Sequence, residues 1–456
     1  MQKKRRISVF LKTLLLAVLI ILPLGAACAV PSQPTSTPAT VPMEILVGTS
    51  APLTGALSTG GEGSEFGTKA AIDDINAQGG IFVKEYNRKL PVRQVLVNNE
   101  SDSIKAGSLA EDMILRDKVD FLLSGIDIPP SVASIAGKAE KYKIPYVCSP
   151  GPVEPYMAMR MSATPPWQYT WASGFRIATP PPAGDYREGK PGYTVIDLGA
   201  VLIQKFAGQT NKKIAIYASD DADGRGWYSL FAAELKKMGL DVIGADKELG
   251  LVPPETTDFS GVIQQWKNSN CELLWGNAPG PFIGTLWRQS IALGFKPKMH
   301  YASKGSISYA DIIAWGGDLP NGVGTELLWH PALKGCPGIG TTTPQSLYDR
   351  WNKATKQPLN QFVGVGYHTA QILFDAIERA GTLDKDKVND ALANTDLNTV
   401  CARVVFEKDT HFNSLPLAWA QWFKTDQPTK WNMEIVVSPH DFLPPTAQPL
   451  FPIPYQ

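Results

Sequence analysis

From Ile45 onward the chain alternates short apolar runs with segments of helical spacing, and it does so twice. That pattern constrains the fold most, because strand, helix and strand in series build a parallel sheet with helices on its faces. The first series holds ILVGT (45–49), LPVRQVLVNNE (90–100), VDFLLSG (119–125) and IPYVCSP (144–150). Between them lie SEFGTKAAIDDINAQGG (64–80), KAGSLAEDMILRDK (105–118) and SVASIAGKAEKYK (131–143), read as helices; the first ends on Gly79-Gly80, as a C-capped helix does. Regularity fails over 151–193, a stretch rich in Pro, Gly, Met and aromatic residues that marks a boundary between lobes with a loop insertion. The alternation then resumes from 194–206 and runs to KMHYASK (298–304), a second copy of the same architecture. Two further helices are expected within 345–380, strands at 402–409 and 417–424, and a surface-hugging Pro-rich tail over 441–456.

The length, 456 residues, is too great for one ordinary core and fits two lobes. Lys+Arg and Asp+Glu are equal at 43 each, which removes any electrostatic reason to expect nucleic acid or an anionic membrane surface as partner. Each strand is followed by small or polar residues: Ser50-Ala51-Pro52, Ser124 to Asp127, Ser149 to Gly151, Ser219 to Asp221, Gly276 to Ala278, and Ser303 to Gly305. Such stops fall at the carboxyl edge of a parallel sheet, where open α/β folds bind ligands.

The N-terminus is not part of the fold. Lys3 to Arg6 are basic, 7–24 are largely apolar, and Gly25-Ala26-Ala27 precede Cys28, so 1–28 read as an export signal. Cys28 in that setting resembles the lipidated cysteine of a bacterial lipobox; cleavage after Ala29 is the competing outcome. Residues 29–43 are rich in Pro, Ser and Thr and form an extended linker. The expected location is the periplasm or the outer face of the cytoplasmic membrane, reached through a lipid anchor.

Cys148, Cys271, Cys336 and Cys401 show no ligand spacing, and the five histidines are dispersed, so no metal is expected. Cys336 and Cys401 flank the same late segment and are the candidate disulfide in an oxidising compartment; Cys148 and Cys271 read as inert buried thiols. Gly61, Gly63 and Gly67 precede a helix but stand too far after the strand to cradle a pyrophosphate, and no cofactor is expected. Nucleophile-elbow, P-loop and zinc-protease motifs are absent from the sequence, and nothing in it supports an enzyme.

Two stretches carry a family resemblance. ILVGTSAPLTGALSTGGEGSEFGTKAAIDDINAQGGI (45–81) resembles the opening of the type I periplasmic binding proteins of the leucine/isoleucine/valine class: a strand into A-P-x-T-G, a glycine-bearing loop, then a helix ending in D-x-N-x-x-G-G-I. KKIAIYASDDADGRGWYSLFAAELKKMG (212–239) with DFSGVIQQWK (258–267) looks like the second lobe of that class. The resemblance implies two doubly wound parallel-sheet lobes joined by a three-crossing hinge. It assigns 44–176 and 332–404 to lobe 1, and 177–331 and 405–440 to lobe 2. It implies a ligand site of Thr59, Ile126, Asp127, Ser149, Gly151 and Pro152 from lobe 1, and of Asp223, Asn277, Pro279 and Lys304 from lobe 2.

The family commonly places a carboxylate where this chain has Lys304. An ammonium there repels the ammonium of an amino acid, so a carboxylate-bearing or neutral organic ligand is expected, with Trp171 or Trp227 available to stack on an aromatic one. The rivals are that Asp127 or Asp223 takes an ammonium, and that Lys304 points to solvent. The implied function is that of a monomeric receptor that passes a small molecule to an ABC permease. A sensing subunit docked on a membrane signalling protein is the alternative, and a secreted enzyme the third.

Overall fold

The computed structural model describes residues 42–455; Cys28, the signal and residues 29–41 of the linker lie outside them. The first apolar runs become central strands because both of their faces are covered. Strand β1 (Ile45–Ala51) leads to helix α1 (Ser58–Ala77), a short hairpin β2 (Ile81–Val83) and β3 (Arg88–Leu90), and strand β4 (Val92–Asn98). Then follow α2 (Ser103–Asp112), β5 (Phe121–Leu123), α3 (Pro129–Tyr142), β6 (Tyr146–Cys148), α4 (Val153–Ser162) and β7 (Thr170–Gly174). Val47, Phe121, Leu123 and Val147 pack in one cluster with Ala70 and Ala71 of α1. Their neighbours Leu122, Tyr146, Cys148 and Ala172 pack in another with residues of α2 and α3. Two covered faces leave no polar alternation to read, which is why these strands are continuous apolar runs.

The second series gives α5 (Val195–Phe206), β8 (Lys213–Ser219), α6 (Ala222–Lys237), β9 (Asp241–Val242), β10 (Leu251–Val252), α7 (Ser260–Asn268) and β11 (Leu273–Ala278). It continues through α8 (Gly280–Ala292), β12 (Met299–Lys304), α9 (Tyr309–Trp315) and β13 (Gly324–Leu327). The rest is α10 (Pro344–Thr355), α11 (Phe362–Ala380), α12 (Lys385–Ala393), a hairpin β14 (Asp396–Asn398) and β15 (Arg403–Val405), then β16 (Phe412–Ser414), β17 (Ala418–Lys424) and β18 (Trp431–Val437).

Two main sheets result. The first has the order β16-β7-β6-β5-β1-β4, all parallel. The second runs β10-β8-β11-β12-β13-β17-β18, with β9 beside β8; it is parallel up to β13, and β17 and β18 close it as an antiparallel edge. Helices α10 and α11 return to pack on α1. The chain therefore passes between the sheets three times, over 175–194, 328–343 and 415–417.

Three details differ from the sequence reading. Strand β16 belongs to the first sheet, so the last change of sheet falls after Ser414 and not at 404/405; the run 402–409 forms only a local hairpin. Helices α4, α9 and α12 and strands β7, β13 and β18 fall outside the expected elements; α4 and β7 form within 151–193, the stretch read as irregular. Helix α1 begins at Ser58, so the glycines read as a loop lie inside it. They serve close packing: a Cβ on Gly61 would stand 2.1 Å from the Pro52 carbonyl oxygen, and one on Gly67 1.9 Å from that of Val363 in α11. Likewise Gly324 leaves room for Trp419, whose ring reaches over it to stack on Tyr301 at 4.9 Å, with Trp275 beyond at 4.4 Å.

A buried polar network ties the first crossing to the chain leading into the third. The Arg176 guanidinium pairs with Glu407 and donates to Ser414 Oγ at 2.6 Å. Arg187 pairs with Asp185 at 2.6 Å and donates to Asn413 Oδ1 at 2.7 Å and the Ser414 carbonyl at 2.9 Å. Arg176, Arg187 and Glu407 are all buried, so each charge needs these partners to stay in the interior.

Candidate functional site

Each residue of the expected ligand site stands at the carboxyl end of a strand, in the loop that follows it, or in the first turn of the next helix. Many of those helices start without a side-chain cap. Helix α1 begins after Leu57, α3 after Ile128, α4 after Pro152 and α8 after Pro279, none of which caps with its side chain. Helices such as α2, α5 and α10 are capped by Asp102, Thr194 and Thr343. An uncapped first turn leaves N–H groups and the positive end of the helix dipole open to an anion, as at α1; α3 opens on Pro129-Pro130, which have no N–H, and in α4 the Val153 amide donates to the Phe175 carbonyl at 2.8 Å.

The residues of the first sheet form a continuous rim. The Thr59 carbonyl accepts from Asn360 Nδ2 at 2.9 Å, fixing the start of α1 against the start of α11. Half-buried Ile126 lies against the same turn: a Cβ on Gly60 would be 3.4 Å from Ile126 Cγ2 and from the Phe362 ring. Asp127 donates its amide to the Ser149 carbonyl at 3.0 Å and accepts from the Ile128 amide at 2.9 Å. Its other oxygen, Oδ2, and Ser149 Oγ are both buried with no protein partner. Burial pushes the Asp127 carboxyl up to about 7, against hydrogen bonds from Ser131 and Ile128. Gly151 takes φ +75°, and its carbonyl accepts the Phe175 amide at 3.2 Å while Pro152 bridges to Phe175.

In the second sheet three expected residues meet. Lys304 ends β12 with φ +66°, and its Nζ donates to Asp223 Oδ2 at 2.8 Å. Asn277 Nδ2 reaches the same oxygen at 3.3 Å. Asp221 accepts the Gly224 amide at 2.9 Å and so caps α6. Its partial burial works the other way, but hydrogen bonds from Gly224 and Ser219 hold its carboxyl below the ordinary value. Asp220 pairs with Arg225 at 2.6 Å. Pro279 is exposed and starts α8.

Of the two tryptophans proposed to stack, Trp171 lies in the interior. Its ring stacks on His411 at 3.8 Å and its Nε1 donates to Asn389 at 2.7 Å. Trp227 is buried as well: one helical turn from Asp223 on α6, it packs on Phe231 at 5.2 Å and meets Phe175 of the other lobe, ring centroids 6.3 Å apart. Phe175 was missed from sequence, although it follows β7 directly as the other rim residues follow their strands.

Cys336 and Cys401 come together, but as free thiols: Cys336 Sγ faces the Cys401 carbonyl oxygen at 3.6 Å. Gln371 of α11 aligns the two segments, donating to the Pro337 carbonyl at 3.1 Å and accepting the Val400 amide at 2.9 Å. Among the described residues no group of three or more His, Cys, Asp or Glu is placed to hold a metal, and no helix is long and apolar enough to cross a membrane. One surface pocket, lined by Trp287, Ile291, Asp318 and the tail residues Ile453 and Tyr455, lies at the amino end of the second sheet, away from the rim.

Comparison with known proteins agrees with this architecture. The chain is 22% identical over 169 residues to the leucine-, isoleucine-, valine-, threonine- and alanine-binding protein of Pseudomonas aeruginosa, a match spanning 37% of this chain and 42% of that protein. A leucine-binding protein from Thermotoga maritima superposes with a TM-score of 0.64 at 16% identity, covering 87% of this chain and 99% of that one. The solute-binding protein of an ABC transporter from Rhodopseudomonas palustris, in complex with 3,4-dihydroxybenzoic acid, gives 0.64 at 16% identity, covering 89% and 99%. A family model described as periplasmic binding protein matches residues 44–427. The chain belongs to the periplasmic binding protein family.

Proposed function

We propose that this protein is the extracytoplasmic receptor of an ABC importer, and that it takes a small carboxylate-bearing ligand, aromatic acids foremost, in the cleft between its lobes. It acts by binding and closure, without catalysis, as a monomer that delivers the solute to a membrane permease. The signal-like start with Cys28 supports export and a lipid anchor.

The observation that carries this reading is Lys304, paired at the rim with Asp223, which Asn277 also contacts and which stands one helical turn before Trp227 on α6. A carboxylate approaching Lys304 gains a charge-assisted hydrogen bond; Trp227 and Phe175 are buried against each other, and an aromatic ring gains their apolar faces only where the lobes separate. The uncapped start of α1 supplies further N–H groups from the other lobe. A ligand that touches both lobes favours the closed form by its differential contacts; about 5.5 kcal/mol takes the population from 1:99 to 99:1.

A thermal-shift screen against aromatic acids, aliphatic acids, amino acids, amides and polyols tests the proposal. A binder at a hundredfold excess over its Kd stabilises the protein by about 2.7 kcal/mol. Shifts with hydroxybenzoates are expected. No shift with any solute would overturn the receptor reading, and shifts confined to leucine, isoleucine and valine would overturn the ligand class.

A further inference from the structure

The matched family region ends at 427, yet the chain continues through β18 and a tail that is far from idle. Directly after β18 the segment Ser438–Leu443 folds into a tight turn, with His440 N donating to Ser438 Oγ at 3.1 Å and Leu443 N to the His440 carbonyl at 3.1 Å. Its position touches every passage between the lobes. The carbonyl of Gly192, in the first crossing, accepts both His440 Nε2 at 3.1 Å and the amide of Leu417, in the third, at 2.8 Å. Phe442, whose ring stacks on His440 at 5.0 Å, accepts with its carbonyl the amide of Lys334, in the second crossing, at 2.8 Å.

The fit is close. Gly192 has φ +82°, and a Cβ there would stand 2.3 Å from Pro439 and 2.7 Å from His440 Nε2. Tyr193 meets the His440 ring edge-on at 5.1 Å, and both His440 and Leu443 are buried. Burial also holds His440 below its ordinary value, so the neutral ring donates from Nε2 and leaves Nδ1 as acceptor.

We propose that the segment 438–443 is a hinge brace: it joins the three crossings into one cooperative unit and so sets the resting geometry of the two lobes. Movement between lobes is then confined to residues outside Gly192, Lys334 and Leu417, and the brace must open as a whole before those positions can move. The partner it recognises is the hinge of its own chain.

Hydrogen exchange followed by mass spectrometry on the full chain tests this without any ligand, so it stands or falls apart from the receptor reading. His440→Ala is expected to speed exchange about tenfold in peptides covering all three crossings, with α1 and α11 unchanged, and His440→Gln, which keeps an N–H donor, to restore most of the protection. Acceleration confined to 438–443, or spread evenly over the molecule, would overturn the proposal. In the unaltered chain, the Lys334 and Leu417 amides are expected to share one opening rate and one denaturant dependence. Independent opening of the two would overturn it whether or not the variants fold.

Discussion

Lys304 and Asp223 satisfy each other: the ammonium lies 2.8 Å from the carboxylate, with the two side chains 36% and 45% exposed. The cation that sequence reading reserved for the ligand thus already has a partner, and Asn277 steadies the acid. An ion pair this open to water contributes little to stability, about 0–1 kcal/mol. It is a better instrument of recognition than of folding, because either member can turn to a ligand at small cost. Lys304→Met and Asp223→Asn are therefore expected to leave the melting temperature nearly unchanged. Lys304→Met should weaken a carboxylate ligand about tenfold or more, whereas Asp223→Asn, which frees the ammonium, should not. Calorimetric titration of both variants checks this.

Asp127 makes stability depend on pH. Its carboxyl rises from 3.8 to about 7 on folding, through burial. Between about pH 4 and pH 7 the folded chain holds a proton that the unfolded chain has released. Stability from this group is full at low pH and declines by about 1.4 kcal/mol per pH unit across that window. Asp127→Asn keeps an acceptor for the Ile128 amide and has no proton to lose, so its urea midpoint should gain on the wild type as pH is raised from 5 to 8. Parallel profiles would exclude Asp127 as the source.

The Arg176–Glu407 pair is a different kind of contact, with both side chains almost fully buried. Glu407→Ala leaves a guanidinium in the interior with only neutral acceptors, and a loss of about 3–5 kcal/mol is expected in urea unfolding.

Packing of α1 on α11 depends on Gly67, where a Cβ would collide with the Val363 carbonyl oxygen. Because backbone and not a flexible side chain stands in the way, Gly67→Ala should cost at least about 1–3 kcal/mol and broaden the thermal transition.

The cysteines give a direct chemical readout. With Cys336 facing a carbonyl oxygen rather than the Cys401 sulfur, protein lacking residues 1–41 should show four thiols on denaturation: Cys148, Cys271, Cys336 and Cys401. In the native state they should react slowly, since burial raises the Cys336 thiol to about 11 and the Cys401 thiol well above its ordinary value. Two thiols on denaturation would show that the pair is bonded.

What sequence revealed, and what it hid, follows from the range of the forces involved. Alternating apolar runs report burial on two faces, so β1, β5, β6, β8, β11 and β12 were legible, and with them the carboxyl edges where Ile126, Ser149, Asn277 and Lys304 stand. Pairing across the chain was not legible. Phe412–Ser414 is too short a run to declare its sheet, and its place beside β7 is fixed by buried partners such as Arg187 and Ser173. Gly60, Gly61 and Gly63 read as a loop because glycine's usual meaning is local, whereas Gly61 answers to Pro52, as Gly67 further along the helix answers to Val363. Trp171 and Trp227 look alike in sequence and both are buried; only their partners, His411 for the first and Phe175 of the other lobe for the second, tell them apart. The neutralisation of Lys304 by Asp223 spans 81 residues and leaves no local trace.

The most direct test of the account is a calorimetric titration of the protein lacking residues 1–41 with 4-hydroxybenzoate and with leucine, repeated on Lys304→Met. The account predicts one saturable site for the aromatic acid, at least tenfold tighter than for leucine, and its loss in the variant. Tight leucine binding that Lys304→Met leaves untouched would contradict it.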